Sequence, residues 1–387
     1  FRAFPTSYLL AITYLLPEHS LAGQYPLDVK WLSVFAHRLP GNGPYMIADW
    51  VPGSHLDVVA NPNYHKRSLG LPRIPRVRFL FTNDPFYSVV YGAADVGVNV
   101  AASLPPDYET FGLALYESED LGYFSIIPNT ERPYFQETAV RQAIYTAFNR
   151  AQAAPNIFNG LVADSWLAPS HIMYSDTINQ YNYDPAAAAA LLTAAGWTDH
   201  NGNGIRDKGG VELQFDLYAG YGGNQAYLNV AAAFQANMAA VGIDANIITY
   251  PDNDNNRYWN DIQRGAADAY ITGWYFDERY DPFGFKMFHS SQIPTGYNSY
   301  WYWGHFGGRW QNGANDALLE AAKNELDTAT LQGLYADQLA LQTDQLSIWP
   351  FAHRLHMDTA VPTLLNFRPA AYLPVTWNIE EWYIPAN

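Results

Sequence analysis

The chain has 387 residues, a formal net charge of −16 and no cysteine, with 49% hydrophobic and 16% aromatic residues. That length buries a large core and fits two domains or one large discontinuous one, while the acidic balance lacks the basic stripe that nucleic acid requires and suits cationic or amine-bearing ligands. Without cysteine there is no disulfide framework, no thiolate metal site and no cysteine nucleophile.

In chain order, the apolar stretch Tyr8 to Pro17 is too short to span a bilayer and has neither a basic flank nor a small-residue cleavage site, so it reads as neither anchor nor signal peptide. The chain opens on Phe1 within a regular pattern, which reads as a processed protein or a fragment. Up to about residue 128 short strand patterns alternate with Pro- and Gly-bearing turns, as where Val77, Phe79 and Phe81 alternate with Arg76, Arg78 and Leu80. Beyond Pro128 the period changes. Val140, Ala143, Ile144, Ala147 and Phe148 fall on one helix face, which predicts a boundary near Asn129. Asp184-Pro185 supplies an N-cap and a first-turn proline, and Gly196 closes the alanine-rich helix that follows, anchored by Leu191 and Leu192.

Strand and helix then alternate. Leu213, Phe215 and Leu217 predict a strand; Tyr227, Val230, Ala231, Phe234, Met238 and Val241 a helix face closed by Gly242; Ile243 to Thr249 a second strand; Asn255 to Arg264 a helix; and Asp268 to Gly273 a third strand. Such an order predicts parallel strands with right-handed crossovers, and the crevice beyond their carboxyl ends is where ligands reach an α/β sheet. Helices are expected over Asp316 to Leu326 and Thr328 to Leu346, then an irregular tail from Pro350.

The run Gly273-Trp274-Tyr275-Phe276-Asp277-Glu278-Arg279-Tyr280-Asp281-Pro282 leaves the third strand at that carboxyl edge. A carboxylate among rings can pair with an amine while the rings supply apolar or cation–π contact; the bland alternative is a turn with a capping Asp. A second aromatic run, Tyr297, Tyr300, Trp301, Tyr302, Trp303, Phe306 and Trp310, is broken by glycines. It suits stacking on sugars or apolar side chains, or a loop pinned by its own rings.

Asp199, Asn201, Asn203 and Asp207 place oxygen ligands at alternate positions with Gly204 at the turn, like the start of a calcium loop. The twelfth position is Gly210 in place of a bidentate Glu, so a structural turn, or at most a weak calcium site, is the expectation; no other cofactor is implied. His353 and His356 lie three apart just beyond Pro350, with no acid to complete a metal site, and read as packed or exposed side chains. The motifs H-E-x-x-H, P-loop and G-x-S-x-G are missing, which leaves those enzyme classes unsupported. A glycoside hydrolase using two of Asp277, Glu278 and Asp281 is the rival class, but adjacent loop positions fit poorly with carboxylates spaced across a sugar. A scaffold or adhesion role has neither repeats nor an obvious patch in its favour.

Several runs in a fixed order carry a resemblance. Gly41-Asn42-Gly43-Pro44-Tyr45 with Trp50, Pro52 and Gly53, then Asn61-Pro62-Asn63-Tyr64; Pro133-Tyr134-Phe135 with Val140-Arg141-Gln142-Ala143 and Asn149-Arg150; Tyr183-Asp184-Pro185 through Leu191-Leu192 to Ala195-Gly196-Trp197; Val241-Gly242-Ile243; and Gly273-Trp274 with Asp281-Pro282. Together they resemble the extracellular solute-binding proteins of ABC importers, family 5, the dipeptide and oligopeptide-binding class. Asn149 stands where that pattern has Asp.

The resemblance implies an α/β fold of the periplasmic-binding-protein class II, peptide-binding type, with discontinuous lobes around a cleft. It assigns residues 1 to 128 and 347 to 387 to one lobe and 129 to 346 to the other, with the start of the first lobe and a further lobe missing. It further implies a monomer without catalysis that closes on a solute, an extracytoplasmic location (periplasmic, or lipid-anchored on the outer face of the cytoplasmic membrane), and a membrane permease as partner. Asp277 matches the acidic residue that meets a peptide's ammonium group, with Trp274, Tyr275, Trp301 and Trp303 lining the site. One extra residue before Asp281-Pro282 leaves Glu278 and Asp281 open for that role. A short peptide is the expected solute and an oligosaccharide the alternative, with weak or no binding by these 387 residues alone.

Overall fold

The computed structural model describes residues 41–100, 104–156, 160–221, 224–251, 254–274, 284–294, 308–370 and 374–385. These fall into two compact units: one is Glu119–Leu355, and the other joins residues 41–118 with His356 onward. The sequence changes period at 128/129, where a strand ends and the first long helix pattern begins, whereas the units divide within that strand.

In the smaller unit, β1 (Tyr45–Val51), β2 (His55–Ala60) and β3 (Arg76–Leu80) form an antiparallel meander. The turn between β1 and β2 uses Gly53 at φ 76°, a conformation in which a Cβ is strained. Asn61 is buried, and its side-chain amide donates to Gly43 O at 2.9 Å while its Oδ1 accepts from Asn63 N at 2.9 Å. The Gly-x-Gly-Pro-Tyr and Asn-Pro-x-Tyr runs therefore form one clasp. Along β3, Val77 and Phe79 turn inward and the arginines outward, as the alternation predicts, but Phe81 lies past the strand and is exposed. A short helix, α1 (Pro85–Val90), capped by Asp84, leads to β4 (Val96–Gly97). The unit's core gathers Leu364, Phe367, Ile379 and Trp382 with Tyr45, Val77 and Phe79.

The chain enters the larger unit through β5 (Ala114–Pro128). Three helices follow, α2 (Pro133–Gln136), α3 (Thr138–Ala147) and α4 (Arg150–Ala153), then β6 (Leu161–Val162) and α5 (Pro185–Ala194). Both expected ends of α5 are present: Asp184 accepts from Ala187 N at 2.9 Å, and Gly196 takes φ 86°. Asn149 caps α4 by accepting from Gln152 N at 3.2 Å, a task Asp performs equally well. Arg150 is buried against Asp164 at 2.7 Å and the hydroxyl of Tyr145 at 2.9 Å.

After the hairpin β7 (Asp207–Lys208) and β8 (Val211–Glu212) comes the predicted alternation: β9 (Gln214–Tyr221), α6 (Gln225–Ala239), β10 (Asp244–Tyr250), α7 (Asn255–Gln263) and β11 (Ala269–Trp274). β10 and β11 flank β9 and both run parallel to it. The α6 face is buried at Val230, Ala231, Phe234 and Met238, as its spacing predicts. Next come α8 (Gly284–Phe288), α9 (Gly313–Asn324) and α10 (Thr328–Gln345). The tail departs from expectation. Trp349–Ala360 is not irregular but a strand, β12, lying beside β5 in the order β10-β9-β11-β5-β12. Trp349, Phe351, Ala352 and His353 are all buried, so both faces are covered and the period-two signal vanishes.

Candidate functional site

The sheet of the larger unit sets the carboxyl edge that the sequence singles out. β11 pairs parallel with β9 (Ala269↔Leu217, Tyr270↔Tyr218) and antiparallel with β5 (Gly273↔Phe124, Trp274↔Tyr123). Its last two residues carry the Gly-Trp motif. A Cβ on residue 273 would overlap the ring of Phe124, so only glycine lets that ring cross the strand. In β9, Gly220 takes φ 88°, and a Cβ there would lie 2.7 Å from Cδ2 of Tyr227. The Phe124 and Tyr227 rings meet edge-on at 6.4 Å. Two glycines in adjacent parallel strands thus admit two touching rings, which fix where β11 ends and its loop departs.

Trp274, half-buried, is the last described residue before that loop. Tyr275 and Asp277, together with Glu278 and Asp281, lie outside the described residues, as do Trp301 and Trp303. Of the second aromatic run, Trp310 is described and is 6% exposed, a packed ring.

An aromatic cluster that the sequence reading did not single out lies on β9, β10 and α7. Tyr218 and Tyr250 approach to 5.5 Å, and Tyr258 of α7 reaches Tyr250 at 5.7 Å. The Tyr250 hydroxyl donates to Asp261 Oδ2 at 2.7 Å, and the Tyr258 hydroxyl to Ile271 O at 2.8 Å. Burial first, then the bond to Asp261, raises the Tyr250 pKa well above the usual tyrosine value, so it stays a neutral donor. The signal lay in tyrosines near the ends of two successive strand patterns.

The Asp199 loop is satisfied from within. Asp199 accepts from the backbone N–H of Gly204 at 2.8 Å, Gly202 at 2.7 Å and Asn203 at 3.1 Å, which hold its pKa below the usual carboxylate value. Asn201 and Asn203 both donate to Glu212 Oε1, at 3.2 and 2.6 Å, while Asp207 accepts from the backbone N–H and ring of His200. Among the described residues no three His, Cys, Asp or Glu side chains gather as a metal site. His353 and His356 sit on β12, where residues three apart face opposite sides. His353 is buried and donates through Nδ1 to Gly122 O at 3.2 Å, and His356 Nε2 lies 3.0 Å from Asp358 Oδ1.

The model of the family described as bacterial extracellular solute-binding proteins, family 5 middle, matches residues 6–296. The chain belongs to this family. Family 5 proteins bind solutes and are not enzymes, which removes the glycoside hydrolase reading. Among relatives, the oligopeptide-binding protein AppA of Bacillus subtilis (strain 168) is 27% identical over 393 residues, which are 96% of this chain and 67% of that protein. The nickel-binding periplasmic protein of Escherichia coli (strain K12) is 27% identical over 356 residues, 88% of this chain and 63% of that protein. The chain spans about two thirds of the length of these two proteins. The solved structure of AppA in complex with a nonapeptide superposes with a TM-score of 0.64 at 24% identity, over 97% of this chain and 72% of that one. That likeness gives the periplasmic-binding-protein class II fold expected of a family 5 chain. No helix among the described residues is long and apolar enough to cross a membrane.

Proposed function

We propose that this chain receives a short peptide outside the cytoplasmic membrane and presents it to the permease of an ABC importer, acting as a monomer. In this reading Asp277 pairs with the peptide's free ammonium group, Trp274 and Tyr275 flank it, and Trp301 and Trp303 contact side chains. The observation that carries the reading is the end of β11. β11 ends at Gly273-Trp274, with Gly273 under the Phe124 ring, at the carboxyl edge of parallel strands, where α/β sheets bind ligands, and Asp277 follows three residues later in the sequence. A desolvated carboxylate–ammonium pair adds selectivity because leaving either charge unpaired costs about 2–5 kcal/mol. Family membership and an oligopeptide-binding relative support the peptide, whereas the nickel-binding relative marks how widely solutes vary between such proteins.

The density of rings from Tyr297 to Trp310 favours a second reading, an oligosaccharide stacked on Trp274 and that run. Calorimetric titration of the protein at its full encoded length separates the two. An unblocked tripeptide should bind at least about tenfold more tightly than its N-acetylated form, whereas a sugar ligand would show saturable oligosaccharide binding that ignores Asp277→Asn.

A further inference from the structure

Within the larger unit, α3, the segment 309–312 and the end of α10 line an open cavity of about 410 Å³. Its polar wall includes Thr130, Glu131, Thr138, Arg141, Arg309 and Gln345. Arg141 is 2% exposed and forms no ion pair among the described residues; burial pushes its pKa down to about 10. Four of its five N–H groups are used: Nε donates to Gln345 O at 2.8 Å, Nη1 to Phe135 O at 2.6 Å and Gln136 O at 3.0 Å, and Nη2 to Thr138 Oγ1 at 3.0 Å. Carbonyls at the ends of α2 and α10 offset part of the charge, but they carry no formal negative charge. One Nη2 hydrogen has no acceptor among the described residues.

Arg309 is the second cation. Its Nε meets Glu131 Oε2 at 2.8 Å, and its Nη1 donates to Pro294 O at 3.2 Å. Its position is fixed by the backbone: Gly308 and Arg309 take φ 66° and 57°, and a Cβ at 308 would overlap Pro128 O. Among the described residues the wall therefore holds two guanidinium groups against one carboxylate, in a chain of net charge −16. The ten-residue helix α3 starts at this wall with Thr138, and Glu137 at its N-cap makes no capping bond and instead pairs with Lys208 at 2.8 Å.

We infer that this cavity binds a small singly charged oxyanion, a carboxylate or a phosphate, between the guanidinium groups of Arg141 and Arg309. Planar forks of N–H donors match such ligands, and a preordered Arg141 loses little further freedom on binding.

Calorimetry and thermal unfolding with sodium phosphate and with sodium acetate, each against sodium chloride at equal ionic strength, test the inference. A saturable, oxyanion-dependent rise in Tm is expected, with dissociation constants in the millimolar range. Arg309→Gln should weaken binding about tenfold, whereas Glu131→Gln, which removes the competing carboxylate, should tighten it about threefold. A response to phosphate alone or to acetate alone would narrow the ligand to that class. Responses no larger than those to chloride, or binding that ignores both variants, would overturn the inference.

Discussion

The ring of Phe124 on β5 lies across Gly273 on β11, in the space a Cβ at 273 would need. This contact makes the Gly-Trp motif a packing device: the glycine admits the ring, and the ring fixes the end of the strand that carries the proposed ligand loop. Gly273→Ala should destabilise the protein by about 2 kcal/mol through overpacking. Denaturant midpoints measure this, and adding Phe124→Leu should recover part of the loss, the coupling expected of neighbours in contact.

His353 is buried, and burial pulls its pKa below the usual histidine value despite the nearby carboxylate of Glu119. The fold therefore favours the neutral ring. As pH falls below the unfolded value of about 6.5, the unfolded chain takes up a proton first and stability declines until the lower folded value is reached. His353→Gln keeps a donor for Gly122 O, and its stability should vary less between about pH 7 and pH 5 than that of the parent protein.

In the smaller unit Glu380 bonds Lys66 at 2.6 Å and accepts from Tyr64. Burial raises its pKa, but the bonds from Lys66 and Tyr64 outweigh that and hold it below the usual carboxylate range. Its stabilising effect is complete above the unfolded value of about 4.3 and is lost as pH falls through the lower folded value. Glu380→Gln should flatten the acid limb of the stability curve, read by unfolding at stepped pH.

Asp184 caps α5 through Ala187 N, and Pro185 occupies the first turn. Asp184→Ala should cost about 1 kcal/mol, and Asp184→Asn much less, by chemical denaturation.

What was legible in the sequence follows local chemistry. The Asp184-Pro185 start, the Gly196 stop and the α6 face could be read because caps and helical period are written in neighbouring residues. β12 could not, because Trp349 to His353 are covered on both faces and Pro350 marked the start of a tail read as irregular. The Phe124–Gly273 contact was hidden for another reason: it joins residues about 150 positions apart through antiparallel pairing. The clasp of Asn61 on Gly43 shows that part of the family pattern is scaffold, not site. Arg141, quoted only as one letter of a motif, stood out once its burial without a carboxylate was visible.

The central claim is that a carboxylate on the loop after β11 recognises a peptide's amino end. Calorimetry on the full encoded protein with an unblocked tripeptide, its N-acetylated form and an oligosaccharide, repeated for Asp277→Asn, tests it most directly. The account predicts saturable binding of the unblocked peptide, at least about tenfold weaker binding once the amine is acetylated, and a comparable loss in Asp277→Asn. Equal affinity for both peptides, or binding of the sugar alone, would contradict it.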